Sequence, residues 1–155
     1  MKQIIFLLIV LISNYSFSQD INWASSHAEI NTGINSSYIL LDQSVVLNGQ
    51  PVLYGYSLGA FYLNDNEELT CGGINMQAWT GSTNSIAVYG DDTTTPEKDG
   101  FSEGEEITFF ALDSVNDITY DVIATISAGS SFYTTNGYNI ITELELIPQG
   151  CTDSL

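Results

Sequence analysis

The sequence predicts an all-β protein built as an antiparallel two-sheet β-sandwich, Ig-like or jelly-roll-like, with about nine short strands. Short β-branched and aromatic runs alternate with clusters of Gly, Asn, Asp and Ser along the chain. No window carries a sustained apolar stripe at helical spacing. The chain has 155 residues, of which 44% are hydrophobic, so one domain can bury a sizeable core.

The individual strands follow from period-2 alternation and from turn residues between the runs. Earlier candidates are 37–41, 44–47, 57–63, 69–78 and 85–89, and later ones are 107–112, 118–126 and 140–146. Alternation places Ile118, Tyr120, Val122, Ala124 and Ile126 on one face of 118–126. In 140–146 it places Leu144 and Leu146 inward and both glutamates outward. Asn48-Gly49 predicts a type I′ hairpin turn, since both residue types tolerate a positive φ. The acidic stretch 64–68 predicts a hairpin loop. A barrel fits this series of predicted strands less well than a sandwich does, because the polar loop around 90–105 interrupts the meander.

The N-terminus predicts export. Met1-Lys2-Gln3 is followed by nine apolar residues, 4–12, and then by Ser16-Phe17-Ser18. This is the pattern of a secretory signal peptide over 1–18, too short for a membrane anchor. The predicted domain is then 19–147. Residues 148–155 form a polar tail or linker.

The charge balance excludes some partners. The chain carries 19 Asp and Glu against 2 Lys and Arg, and removal of Lys2 takes the net charge from −17 to −18. Binding to nucleic acid or to an anionic membrane requires clustered basic residues, so neither is expected. Other surface proteins, neutral glycans and cations remain as partners.

Seven carboxylates fall between Asp91 and Glu106. Hard oxygen ligands on a loop suit Ca²⁺, which predicts a calcium site. The candidate ligands are Asp91, Asp92, Asp99, Glu103 and Glu105. The spacing is not that of an EF-hand, and Asp-Gly and Glu-Gly pairs also form ordinary turns, so a solvated turn is the alternative.

Catalytic patterns are sparse. His27 is the only histidine, and no G-x-S-x-G sequence is present. A glycosidase needs two carboxylates across a cleft, which many acids provide by chance. Trp79 and Tyr89 are candidate platforms for stacking on sugar rings, with burial in the core as the alternative. Cys71 is expected to be a small core residue, and whether it pairs with Cys151 stays open.

Several short segments occur in a recognisable order. They are GYSLGAFY (55–62), CGG (71–73), WTG (79–81), YGDD (89–92) and DGFSEGE (99–105). Together they resemble a β-rich module that recurs in secreted and surface proteins of Bacteroidetes-type bacteria. The resemblance implies no catalytic residues and no established ligand. The tail Gly150-Cys151-Thr152-Asp153 resembles the opening of the G-C-T-D repeats that such proteins carry, which implies that the chain is a piece of a longer one.

The expected function is therefore that of a non-catalytic secreted or cell-surface module with a structural or adhesive role, for which calcium is a candidate stabilising ion and a solvated acidic turn the alternative. A glycan-binding module is the first alternative, and an enzyme of the glycoside hydrolase kind is the second.

Overall fold

The computed structural model describes residues 21, 23–24, 26–52, 55–76 and 82–149. One helical turn and nine strands lie in these ranges. They are α1 (His27–Ile30), β1 (Asn35–Leu40), β2 (Val45–Leu47), β3 (Gln50–Pro51), β4 (Tyr56–Leu63), β5 (Leu69–Asn75), β6 (Asn84–Tyr89), β7 (Thr108–Asp113), β8 (Ile118–Ala128) and β9 (Tyr138–Pro148).

The strands form a closed barrel, and the predicted sandwich is wrong. Seven strands follow one another in the hydrogen-bonded order β1-β6-β5-β4-β7-β8-β9, and β9 pairs back with β1. The closing pair is parallel and runs from Ser37↔Tyr138 to Leu40↔Ile141, whereas the other barrel pairs are antiparallel. Beyond that pair, β9 continues alongside β2, which forms a hairpin with β3.

The length of β9 explains the closure. Its 11 residues pair with β8 along one edge and with β1 and then β2 along the other. No free sheet edge is therefore left at β9, where a sandwich would divide into two sheets. The polar loop was expected to interrupt the meander, but it does not break the barrel. A β-bridge between Gly90 and Phe101 joins the two arms of the loop at its base.

The barrel interior is the main core. On β8, Tyr120, Val122, Ala124 and Ile126 face inward as the alternation predicted, although Ile118 at the strand end is exposed. On β9, Leu144 and Leu146 are buried and Glu143 and Glu145 are not, which is also the predicted pattern. Alternation thus predicted correctly which faces of these strands are buried, although the sandwich architecture was wrong.

A second, smaller core covers the outer face of β4, β5 and β7. Phe61 lies between Trp23 and Phe110, with ring centroids 5.0 and 5.3 Å away. Ile30 and Cys71 are buried in the same cluster. The residues before β1 therefore pack on the outside of the barrel. The prediction that Cys71 is a small core residue is confirmed, whereas its pairing with Cys151 lies outside the described residues.

Two predicted turns are confirmed. Asn48 and Gly49 have φ values of 53° and 71° and connect Leu47 to its partner Gln50, as a type I′ hairpin requires. The loop after Leu63 is closed by hydrogen bonds between Asn64 and Glu68.

The predicted signal peptide, 1–18, and most of the predicted tail lie outside the described residues, so both stay predictions. Strand β9 ends at Pro148, next to the predicted domain boundary. Within the described ranges, no helix combines the length and the apolar character needed to cross a lipid bilayer.

Two buried tyrosines should make the fold less stable at alkaline pH. Burial raises the pKa of both Tyr38 and Tyr62 to about 12. Because the folded state holds these protons more tightly than the unfolded chain does, their contribution to stability is complete below pH ~10 and is lost as the pH rises through ~12. We expect unfolding measured by circular dichroism to coincide with a late step in tyrosinate absorbance. Tyr138→Phe, at an exposed ring, should leave that step unchanged. Ionisation of all nine tyrosines in one step near pH 10 in the folded chain would contradict this.

Candidate functional site

The acidic loop, Asp91–Glu106, follows β6 after one intervening residue, Gly90. Its base is fixed by two backbone hydrogen bonds: the Asp91 N–H donates to the Phe101 carbonyl at 2.9 Å, and the Phe101 N–H donates to the Tyr89 carbonyl at 3.0 Å. The Phe101 ring is buried, stacks on Tyr133 and contacts Tyr62. A charged surface segment is thereby anchored in the barrel core by one aromatic side chain.

Asp91 and Asp99 tie the two arms of the loop together. The Asp99 N–H donates to Asp91 Oδ1 at 3.0 Å, and the Asp92 N–H donates to Asp99 Oδ1 at 2.9 Å. The Thr95 hydroxyl donates to the second oxygen of Asp99. These carboxylates therefore cap backbone N–H groups of the opposite arm, which is the ordinary structural role of aspartate in turns.

Asp92 closes a tighter turn within the loop. Its Oδ1 accepts hydrogen bonds from the hydroxyl and the backbone N–H of Thr94, at 2.7 and 2.9 Å. The Thr94 hydroxyl, followed by the Thr94 N–H, lowers the pKa of the Asp92 carboxyl below its ordinary value. Asp92 is accordingly held in its ionised form.

The two glutamates hold the C-terminal arm of the loop. Glu103 Oε2 accepts the Thr135 N–H at 2.9 Å. Glu105 accepts the Ser102 N–H at 2.9 Å and forms an ion pair with Lys98 at 2.8 Å. The Lys98 ammonium also donates to the Leu63 carbonyl at 2.6 Å. Lys98 is the only lysine or arginine after Lys2, and its ion pair with Glu105 lies within the loop.

The five predicted calcium ligands lie on one loop but do not converge. Each carboxylate accepts from its own N–H or O–H donors, and in the ranges that the structure describes no three acidic, histidine or cysteine side chains form a metal-holding group. Charge and residue type alone predicted the site, whereas convergence depends on which backbone donors each carboxylate reaches.

Only one residue of the predicted glycan platform, Tyr89, lies within the described residues. Tyr89 is partly buried and packs against the second core. Trp79 lies outside the described residues. His27 begins α1, and its side chain is not described. No specific observation on the described residues therefore favours stacking of a sugar on Tyr89.

A cleft next to the acidic loop escaped the sequence analysis. It lies between residues of the N-terminal segment and residues of β4, β5 and the acidic loop. Its volume is about 170 Å³, and it is partly open to solvent. It is lined by Trp23, Ala24, Glu29, Ile30, Tyr62, Thr70, Cys71 and Asp99. These residues come from distant parts of the chain, so no local sequence pattern indicates that they lie together.

The cysteine in the cleft is not an activated nucleophile. Burial raises the pKa of the Cys71 thiol above its ordinary value, and hydrogen bonding to the backbone of Ala24 and Gly73 offsets this only in part. The thiol is therefore protonated near neutral pH, whereas nucleophilic cysteines work as thiolates. The cleft is suited to binding a ligand rather than to covalent chemistry at this residue.

Comparison of the chain with family models, with curated proteins and with solved structures finds no match. The acidic loop and the cleft are therefore the features that bear on its function.

Thr94→Val should raise the pKa of the Asp92 carboxyl toward its ordinary value, because the strongest donor to that carboxylate is removed. The stabilisation that Thr94 gives is present above the unfolded pKa of ~3.9 and disappears as the pH falls through the folded pKa. A carbon-detected NMR titration of the Asp92 carboxyl measures the change. Thr93→Val in the same exposed turn is the matched control and should leave the titration unchanged. Identical Asp92 titrations in the Thr94 variant and the parent would contradict the assignment.

Proposed function

We propose that the chain is an exported, non-catalytic module with a structural or adhesive role at the cell surface. The observation that carries this proposal is the acidic loop, whose carboxylates are used as acceptors for the loop's own backbone N–H groups. A loop closed in this way is a preorganised recognition surface, and a preorganised surface loses little conformational entropy when it binds.

The electrostatics of the loop fit binding better than acid catalysis. A general acid in glycoside hydrolysis needs a raised carboxyl pKa so that it can donate a proton near neutral pH. The pKa of Asp92 is lowered instead, by Thr94. Glu105 is engaged in the ion pair with Lys98 and accepts the Ser102 N–H, so it closes the loop. The glycoside hydrolase alternative gains no support from either residue.

The rest of the described surface agrees with a role between macromolecules. Outward-facing carboxylates continue onto the β8–β9 face through Asp121, Glu143 and Glu145, with Ile123 exposed beside Glu145. A strongly acidic surface keeps a protein soluble and steers it toward partners that carry positive charge. The partners proposed for this module are accordingly other surface proteins.

Adhesion of coated beads tests the proposal. Beads carrying the purified chain are held in flow over surfaces coated with basic proteins, with neutral glycans or with nothing. We expect retention on the protein-coated surface that decreases with added salt, and no release of sugar from a glycan panel. Asp42→Asn beads control for total charge, because this exposed turn residue after β1 belongs neither to the acidic loop nor to the β8–β9 face. Retention no greater than that of uncoated beads, or sugar release abolished by Glu103→Gln, would overturn the proposal.

A further inference from the structure

The cleft beside the acidic loop has the size of one small group. Its volume of about 170 Å³ is similar to that of engineered apolar cavities of roughly 150 Å³, which accept one benzene molecule. Trp23 and Tyr62 supply aromatic walls, and Ala24 and Ile30 supply aliphatic ones. A short aliphatic stem or a single ring fits this space, whereas an extended oligomer does not.

The polar groups of the cleft are mainly hydrogen-bond acceptors with negative charge. Asp99 and Glu29 line it, together with the hydroxyl group of Thr70. The pKa of Tyr62 is raised first by burial and then by the negative charges of Asp99, Asp91 and Glu105, so the negative potential reaches the aromatic wall. Lys98 is already paired with Glu105, and the chain after Lys2 has no other lysine or arginine to neutralise Asp99.

The chain itself shows that an ammonium group is stable in this neighbourhood. The Lys98 ammonium lies 5.3 Å from the centroid of the Tyr62 ring, and it is held by Glu105 and by the Leu63 carbonyl. An aromatic face, a carboxylate and a neutral oxygen together form the usual environment of a bound ammonium. The cleft presents the same three kinds of group, namely the aromatic rings, the carboxylates and the Thr70 hydroxyl.

We propose that this cleft binds a primary ammonium group carried on a short aliphatic stem, the chemistry of a lysine side chain or of a free aliphatic amine. The aliphatic stem packs against Trp23 and Ile30, and the ammonium donates to Asp99. Anionic ligands are repelled by a chain of net charge −17, and a neutral sugar gains nothing from that charge. The cleft binds this group whether or not the module is adhesive, so the inference goes beyond the proposed function.

Titration of the isotope-labelled chain, followed by amide and indole NMR shifts, tests this inference. The probes are N-acetyl-lysine methylamide, its uncharged analogue N-acetyl-norleucine methylamide, 1,5-diaminopentane and methyl glucoside. We expect the lysine amide to shift the resonances of Trp23, Tyr62 and Thr70, and the norleucine amide to leave them unmoved. Comparable binding of 1,5-diaminopentane assigns the ligand to free amines, and tighter binding of the lysine amide assigns it to a polypeptide.

Two variants separate the cleft from the overall charge. Asp99→Asn keeps an acceptor for the Asp92 N–H but removes the charge, and should weaken binding about tenfold, as loss of a charge-assisted hydrogen bond does. Trp23→Leu tests the aromatic wall and should also weaken binding. Glu143→Gln removes an equal charge from an exposed site on β9 and should leave binding unchanged.

Several results would overturn the inference. They are equal weakening by Asp99→Asn and Glu143→Gln, equal binding of the norleucine amide, and shifts caused by methyl glucoside but not by the lysine amide. Absence of any shift with the lysine amide at millimolar concentration in low salt would overturn it as well. None of these outcomes decides whether coated beads adhere, so failure of the cleft and failure of the adhesive role remain distinguishable.

Discussion

Phe101→Ala should lower the free energy of unfolding by about 3–5 kcal/mol, the usual cost of truncating a buried phenylalanine. The Phe101 ring is 1% exposed, and its centroid lies 5.7 Å from that of Tyr133 and 5.4 Å from that of Tyr62. Gly72 also lies against it, because a Cβ placed at Gly72 would come within 2.7 Å of the Phe101 ring. The truncation therefore leaves a cavity between β4, β5, the β8–β9 connection and the base of the acidic loop.

Equilibrium denaturation in urea measures the loss. Phe132→Ala is the matched control, since its ring is 48% exposed and should cost well under half as much. The amide protons of the acidic loop should also exchange faster in the Phe101 variant, because the ring that anchors the loop in the barrel core has been removed. Equal losses of stability in the two variants would show that Phe101 is not the anchor of the loop.

Gly100→Ala adds one methyl group and should lower the free energy of unfolding by about 3 kcal/mol, in the upper part of the range for overpacking. We expect it to be the most destabilising glycine-to-alanine change in the loop. A Cβ at Gly100 would contact the backbone carbonyl group of Gly90 and would lie 2.7 Å from the Asp91 nitrogen. Backbone atoms cannot rotate away as the end of a flexible side chain can. The Gly90–Phe101 bridge at the base of the loop must therefore open.

Gly104 supplies the comparison within the same loop. Its φ is 79°, and no atom lies within 4 Å of the position that a Cβ would take. Gly104→Asn should therefore cost well under 1 kcal/mol, because asparagine tolerates this backbone conformation. Urea denaturation of both variants gives the two losses of stability. A Gly100 variant as stable as the Gly104 variant would mean that the two arms of the loop are further apart than described.

The strands and their faces were predictable from the sequence because they depend on local alternation. The inward positions Tyr120, Val122, Leu144 and Leu146 follow from period-2 patterning alone. Barrel closure was not predictable in this way. It depends on the parallel pairing of β1 with β9, which joins residues about a hundred positions apart, and a sandwich strand shows the same alternation as a barrel strand.

The candidate site was predictable in composition but not in arrangement. Counting carboxylates located the loop correctly, yet the role of each depends on its donor, such as Thr94 for Asp92 and Thr135 for Glu103. The cleft was missed because Trp23, Thr70 and Asp99 meet only after the N-terminal segment packs against β5. Tertiary contacts of this kind leave no periodic signal.

The most direct test of the view that the acidic loop is held by its own hydrogen bonds is a thermal melt of the chain in excess EDTA, in Ca²⁺ and in Mg²⁺. We expect the Ca²⁺ and Mg²⁺ curves to coincide, because both ions only screen the repulsion among carboxylates that already have N–H and O–H donors. A specific site occupied at 100 times its Kd would instead add about 2.7 kcal/mol and raise the midpoint by several degrees. A Ca²⁺-specific rise that Asp91→Ala or Asp99→Ala abolishes would contradict a loop closed by hydrogen bonds alone.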